Sequence, residues 1–268
     1  MIILELLDTL SILVSLVFFS LGSYYDLKAR EVSDNVWLVY APIGVALTIG
    51  RVILDPSTLF LTAISAAVTA LTAFGLFYLG LFGGADAKAI LCLGATMPLV
   101  PSSYPGIIGY VYPFFPLVVT ITSYLCSTLI IVWLGLSNLG RYIHRGERMF
   151  EGLSKESGWK KVLACITGYP VEQARLQSVF YLYPMEEVLE TESEPRRVIK
   201  LFVSAEEDRS VEVEKLESQF TRMGYIGKVW ATPGLPHLVF MLIAILATLM
   251  LGDPLFGTVM KLSHYPLR

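Results

Sequence analysis

Long apolar runs separated by short polar breaks make up most of the chain, and a single polar block interrupts them late. The runs extend over about Leu6 to Tyr25, Val36 to Leu54, Leu59 to Leu81, Ala87 to Val100, Ile107 to Leu136 and His237 to Met260. A helix needs about 20 apolar residues to cross the hydrocarbon layer, so the pattern predicts six membrane-spanning helices. The fourth run is short, and Pro98, Pro101 and Pro105 break it, while Pro113 and Pro116 interrupt the start of the fifth. Irregular backbone at membrane depth is tolerated only where protein or water covers it, so part of this region reads as a broken or re-entrant helix. The first run opens with Glu5 and Asp8 instead of a basic segment and shows no small-residue cleavage motif. It therefore reads as a retained span, not a cleaved signal.

Composition sharpens this division. Of 268 residues, 54% are hydrophobic and only 16% charged, against about 25% charged in soluble domains. Fourteen of the 20 Lys and Arg, and 15 of the 23 Asp and Glu, lie between Arg141 and Lys228. The predicted organisation is five spans in residues 1–136, a soluble insert in 137–230, and a last span with a short tail in 231–268. The insert opens with the basic stretch Arg141 to Arg148, of the kind that meets anionic headgroups. A helical piece is expected near Pro170 to Phe180, a short helix or turn at Met185 to Glu190, and a strand from Arg196 to Ala205. A turn follows at Glu206-Glu207-Asp208, and Val211 to Phe220 reads as helix or strand. Fewer than 100 residues suffice for a small α+β module. The expected fold class is thus an all-α polytopic membrane protein of six transmembrane helices, with a small α+β insert between helices 5 and 6. The insert's near-balanced charge gives no case for nucleic acid.

Basic residues set the expected orientation. Lys28 and Arg30 follow the first span, Lys88 follows the third, and Arg141, Arg145, Arg148, Lys155, Lys160 and Lys161 follow the fifth. With six spans these loops share one side, expected to be cytoplasmic together with the insert, and both termini lie outside. Lys261 and Arg268 in the tail run slightly against the rule.

Two carboxylates then stand out. Asp26, in Tyr24-Tyr25-Asp26-Leu27-Lys28, and Asp86, in Gly83-Gly84-Ala85-Asp86-Ala87-Lys88, lie where membrane helices are expected to meet water. A carboxylate there is costly to desolvate unless something holds it. Two carboxylates sharing a proton can activate water for attack on a peptide carbonyl, with no metal or cofactor. In that reading Gly83 and Gly84 give a tight turn and room for a substrate backbone, Ala85 keeps the approach narrow, and Lys88 snorkels to the headgroups or biases the charge of the pair. The residues alone leave other roles open. Asp86 could cap the fourth helix, Asp26 could pair with Lys28 or Arg30, and membrane carboxylates also line transporters and channels. Asp8, Asp34, Asp55 and Asp253 read as ordinary solvated residues. Cys92, Cys126 and Cys165 fit no zinc spacing, and His144, His237 and His264 are scattered, so no metal site is expected.

At the two aspartate motifs the chain resembles the archaeal preflagellin and prepilin peptidases, which are intramembrane aspartyl proteases. Asp26-Leu27-Lys28-Ala29-Arg30 is similar to the family's aspartate and basic residues at the end of helix 1, although Val32-Ser33 stands where members often carry Ile-Pro. Gly83-Gly84-Ala85-Asp86 is similar to the family's Gly-x-Gly-Asp, with Ala85 replacing the second glycine. A third similarity is the segment Gly227 to Pro236, with Trp230 and a Pro-x-x-Pro formed by Pro233 and Pro236. It is expected to be a rigid lead-in to the last helix, with Trp230 at the membrane interface. The resemblance covers about residues 1–136 and 225–260, and the middle insert is left without a counterpart. It implies catalysis by Asp26 and Asp86 and no cofactor. It also implies substrates that are membrane-bound archaellin or type IV pilin-like precursors with class III signal peptides, cut at the junction of a short basic leader and an apolar helix. Glu31 and Asp34 would supply an acidic surface for that leader. Bacterial relatives add a cysteine-rich zinc region and methylate the new amino terminus; without those cysteines, no methyltransferase activity is expected.

Overall fold

The computed structural model describes residues 2–101, 107, 112–146, 149–189, 195–201 and 209–253. Several expectations lie outside them: the break at Pro105, most of residues 107–111, Arg148, the Glu206-Glu207-Asp208 turn, the far end of the Arg196–Ala205 strand, and everything beyond Asp253. The described chain divides into two compact units, residues 1–127 with 236–268 and residues 128–235.

The first unit is helical. Its elements are α1 (Ile2–Ala29), α2 (Asp34–Leu54), α3 (Leu59–Tyr78), α4 (Gly84–Thr96), the beginning of α5 (Phe115–Arg145), and, after the polar block, α9 (His237–Leu251). Among the described residues, four helical stretches are long and apolar enough to cross a membrane, namely Ile2–Ala29, Asp34–Leu54, Pro56–Tyr78 and Phe115–His144. Of the six expected spans, these four are found there. At 1.5 Å per residue, the 13 residues of α4 and the 15 of α9 reach about 20 Å and 22 Å, short of the hydrocarbon thickness of about 30 Å.

The length of α4 has local causes. It begins three residues earlier than the apolar run predicts, because Gly83 supplies the extended N-cap backbone (φ −72°, ψ 163°). It ends at Thr96 because Met97 precedes Pro98, and proline pushes the residue before it out of helical geometry. Ala89, Ile90 and Leu93 are fully buried, so α4 is a core helix within its unit. Small residues let its neighbours close in. A Cβ on Gly94 would stand 2.7 Å from the Thr69 Cγ2 of α3, and one on Gly44 of α2 would collide with Thr96.

Beyond α4 the chain is irregular, and its described polar groups find partners. Ser65 Oγ donates to the Pro98 carbonyl (2.5 Å), Val100 N–H donates to Pro113 O (3.0 Å), and Leu99 and Phe114 form an antiparallel bridge. Helix α5 then starts at Phe115, later than expected, and runs unbroken into the basic stretch as far as Arg145.

Asp8 and Arg51 correct another expectation. Asp8 reads as a solvated residue in the sequence, yet it is buried on α1 and paired with the buried Arg51 of α2. Asp253 is also buried.

The second unit holds the rest of α5, then α6 (Gly158–Thr167), β1 (Tyr169–Glu172), α7 (Gln173–Ser178), β2 (Leu182–Pro184), β3 (Glu186–Leu189), β4 (Arg196–Ile199), α8 (Arg209–Met223) and β5 (Lys228–Pro233). The central strand β5 pairs antiparallel with β1 and β2, and β3 pairs antiparallel with β4 in register Glu186 to Ile199. Within the stretch expected to be a short helix or turn at Met185 to Glu190, Glu186–Leu189 is therefore a strand, and Glu190 lies outside the described residues. Pairing with β4 and burial of Val188 override its helix-forming Glu and Leu residues. Val211 to Phe220 resolves as helix, with Val213, Leu216 and Phe220 forming its buried face.

Candidate active site at three helix ends

Asp26 lies one turn before the end of α1. Its Oδ2 accepts the backbone N–H of Leu238 at 3.2 Å. Leu238 is the second residue of α9, whose first N–H groups have no partner within the helix. Pro236, the N-cap of α9, makes no side-chain cap bond, so Asp26 fills that role from another helix and meets the positive end of the α9 dipole. Ser23, one turn earlier on α1, donates to the Leu238 carbonyl at 3.0 Å. On its other side, Asp26 Oδ1 lies 3.7 Å from Arg30 Nη1. Arg30 follows α1 in a left-handed conformation (φ 58°), which turns the chain back at the helix end. Of the two cations offered as partners for Asp26, Arg30 is the one so placed.

Asp86 is the third residue of α4. Its Oδ2 accepts the Gly83 N–H at 3.0 Å, the capping interaction expected of an acid at that position. Holding the helix end and taking part in chemistry are compatible, because a carboxylate can accept several hydrogen bonds. The Asp26 charge acts on Asp86, so residues 60 positions apart in sequence come within electrostatic reach.

The surrounding residues sort differently from expectation. Gly83 is extended, and a Cβ there would lie 3.3 Å from Asp86 Oδ2; Gly84 faces open space. Neither needs a glycine-only angle, and the left-handed turn falls instead at Gly80 (φ 69°). Ala85 is half-buried against the core within the first turn of α4. Lys88 Nζ pairs with Asp34 Oδ1 at 2.5 Å, both well exposed. That places the Lys88 charge on Asp34 and commits Asp34 to a cation. Glu31 is exposed.

The Trp230 side chain is turned into its own unit and not exposed as an interfacial anchor would be. It is buried in β5, its Nε1 donates to Met149 O at 2.8 Å, and its ring stacks on Phe150 at 4.7 Å. Pro233 ends β5 and Pro236 opens α9, so the segment is a strand-to-helix joint.

Sequence reasoning missed an aromatic cluster beside the motif. Phe82 stacks on Tyr124 of α5 (5.7 Å between centroids), and the His237 ring packs against both, at 5.3 Å and 5.1 Å. Tyr124 also donates to Leu81 O at 3.3 Å. The cluster joins the loop before Asp86 to the first residue of α9, next to the Leu238 N–H that holds Asp26. No spacing rule marks these residues, although a histidine directly after a helix-opening proline was a visible cue. Among the described residues no group of three His, Cys, Asp or Glu is placed to hold a metal.

Comparison with known proteins bears on the same regions. Residues 13–136 match the model of the type IV leader peptidase family, and residues 160–254 match that of the archaeal peptidase A24 C-terminus, type II. The second match covers most of the insert, which the sequence reading left without a counterpart. The chain is 27% identical over 246 residues to a preflagellin peptidase of Methanocaldococcus jannaschii, covering 88% of this chain and 92% of that one. It is 25% identical over 251 residues to a preflagellin peptidase of Methanococcus voltae, covering 90% and 95%. One family model thus matches the helices that carry both aspartates and another matches the region after them, so the similarity to the type IV leader peptidases and the archaeal preflagellin peptidases extends over most of the chain.

Proposed function

We propose that this protein is a membrane aspartyl endopeptidase in which Asp26 and Asp86 cut the leader from preflagellin or type IV pilin-like precursors. The observation that carries the reading is that both carboxylates sit at helix ends within electrostatic reach of each other, each oriented by a backbone N–H. The family matches and the relatives' names support the peptidase activity and the kind of precursor.

Two close carboxylates do not ionise together easily, so the pair carries one proton between them and titrates as a unit. Arg30 and the N-terminus of α9 lie on the Asp26 side. In this mechanism Asp26 holds the negative charge and accepts a proton from the attacking water. Asp86 holds the shared proton and donates it to the carbonyl oxygen of the scissile bond. Collapse of the tetrahedral intermediate breaks the C–N bond, and the proton taken up by Asp26 passes to the leaving amine. The water supplies the oxygen of the new carboxylate, so no redox partner is required.

Lys28 and Arg30 close α1, and Lys88 follows Asp86 in α4. Basic residues near span ends favour the cytoplasmic side, which puts the pair, in this reading, where a short basic leader meets its apolar helix. Exposed Glu31 is the acid left to meet that leader, and Asp34 serves it only by sharing Lys88.

The test is cleavage of a panel of class III signal-peptide precursors in membranes by the wild type, Asp26→Asn and Asp86→Asn. Cleavage by the wild type alone is expected. Full activity in either variant would overturn the assignment. Solute flux dependent on Asp86, without processing, would point to a transporter instead.

A further inference from the structure

Helix α6 carries an apolar stripe that is left largely exposed within its unit. Trp159, Val162, Leu163 and Ile166 recur at helical spacing; Ile166 is half-buried against α5, while Trp159 and Val162 are 60% and 61% exposed. Two exposed apolar side chains a turn apart on a ten-residue helix are unusual in a soluble module, whose helices turn such a stripe inward. Here the inward side is taken by fully buried Ala164.

The packing of α6 fixes its level along α5. The Asn138 side-chain amide donates to Cys165 O and Gly168 O, both at 2.7 Å. A Cβ on Gly135 would stand 3.3 Å from Ile166 Cγ2. From Phe115 to Ser137, α5 contains no charge and no side-chain amide; Asn138 is the first amide and Arg141 the first charge. About 20 residues span the hydrocarbon, so α6 docks on α5 where the apolar segment ends. Exposed Leu139 and Tyr142 of α5, a helix long and apolar enough to span, lie next to the stripe. A cavity of about 800 Å³ opens between them, lined by Leu139, Tyr142, Phe150, Lys161, Val162 and Ile166. Lys160 is held within the unit by Glu156 at 3.2 Å, and Lys161 donates to Ser154 O at 3.1 Å.

We propose that α6 is an interfacial helix, lying in the membrane surface with Trp159, Val162 and Leu163 against acyl chains. A short helix with an apolar face and a tryptophan is suited to that depth. Lipid is the occupant because the stripe lies next to the surface of a spanning helix at the level where headgroups begin. The soluble unit is thereby held to the bilayer at a second line beside α5.

The full chain, reconstituted in bilayers containing phosphatidylglycerol, tests this through Trp159 fluorescence. Subtracting the signal of Trp159→Phe removes Trp37, Trp133 and Trp230. Lipids brominated near the headgroup should quench the Trp159 component strongly, and aqueous iodide should barely reach it. Val162→Glu should reverse this, raising iodide quenching and weakening bromolipid quenching. Iodide quenching without bromolipid quenching in the unmutated helix would overturn the proposal. Shielding from both quenchers would also overturn it, by showing that protein, a second copy or a precursor, covers the stripe.

Discussion

Asp26 accepts the backbone N–H of Leu238 at 3.2 Å, so the end of α1 caps the start of α9 across 212 positions of sequence. The carboxylate that closes a helix end is the one proposed to take part in the chemistry, and the two roles are separable. Asparagine keeps an acceptor and loses the charge, while alanine loses both. Asp26→Asn should be inactive yet close to wild-type stability, whereas Asp26→Ala should also lose about 1 kcal/mol, the usual worth of an N-cap. Thermal unfolding in detergent beside a precursor cleavage assay distinguishes them. Equal destabilisation by both variants would contradict the capping role.

Gly83 and Gly84 should respond differently to a methyl group. At Gly83 the new Cβ would press on Asp86 Oδ2 at 3.3 Å, although the backbone angles suit alanine. Gly83→Ala should lower kcat with little change in folding. At Gly84 the Cβ enters open space, so any effect of Gly84→Ala belongs to bound substrate and should appear as a raised KM. Steady-state kinetics on one precursor would show the split.

Two of the ion pairs of the helical unit should differ in worth. Lys88 and Asp34 are well exposed, and such pairs contribute roughly 0–1 kcal/mol. Lys88→Gln should leave unfolding nearly unchanged. Asp8 and Arg51 are buried, and removing one partner of a buried pair costs about 3–5 kcal/mol. Asp8→Ala should lower the unfolding midpoint sharply and independently of salt.

In the second unit, buried Glu186 accepts from Arg197 Nε at 2.8 Å and from the Trp230 N–H at 2.8 Å. Burial pushes its carboxyl above the ordinary range, against the opposing pull of Arg197. A carboxyl raised on folding contributes stability at pH below its unfolded value, and that contribution is lost as pH rises through the folded value. Arg197→Met strips away the cation and pushes the carboxyl higher still. The variant should lose about 3–5 kcal/mol at neutral pH and recover part of it on acidification. Unfolding midpoints compared across acidic and neutral pH, with Glu186→Gln/Arg197→Met as the reference, would check the sign.

The two aspartates were legible because a lone carboxylate is conspicuous beside an apolar run. What holds them was not, since the partners are backbone N–H groups of Gly83 and Leu238, and every residue but proline has one. Asp8 was misread for a related reason: its partner Arg51 lies on another helix, 43 positions away, and the residue alone sits near the end of a run. Trp230 followed the rule for interfacial tryptophans, but it lies on the central strand β5, where Val229, Trp230 and Ala231 are buried in succession, and such a run is hard to tell from the neighbouring apolar span. Glu186–Leu189 has helix-forming composition and becomes a strand by pairing with Arg196–Ile199.

If the chain cuts precursors as proposed, the brevity of α4 bears on how water and a scissile bond reach Asp86. A rod of about 20 Å in a layer of about 30 Å cannot carry both its ends to the bulk solution. The remaining depth is filled by the irregular chain that follows it, by a thinned bilayer, or by a wet indentation over one end. Asp86 occupies the first turn of that rod. A precursor anchored by its own apolar helix could then present its scissile bond by settling into such a dent, with its charged leader never leaving the aqueous side.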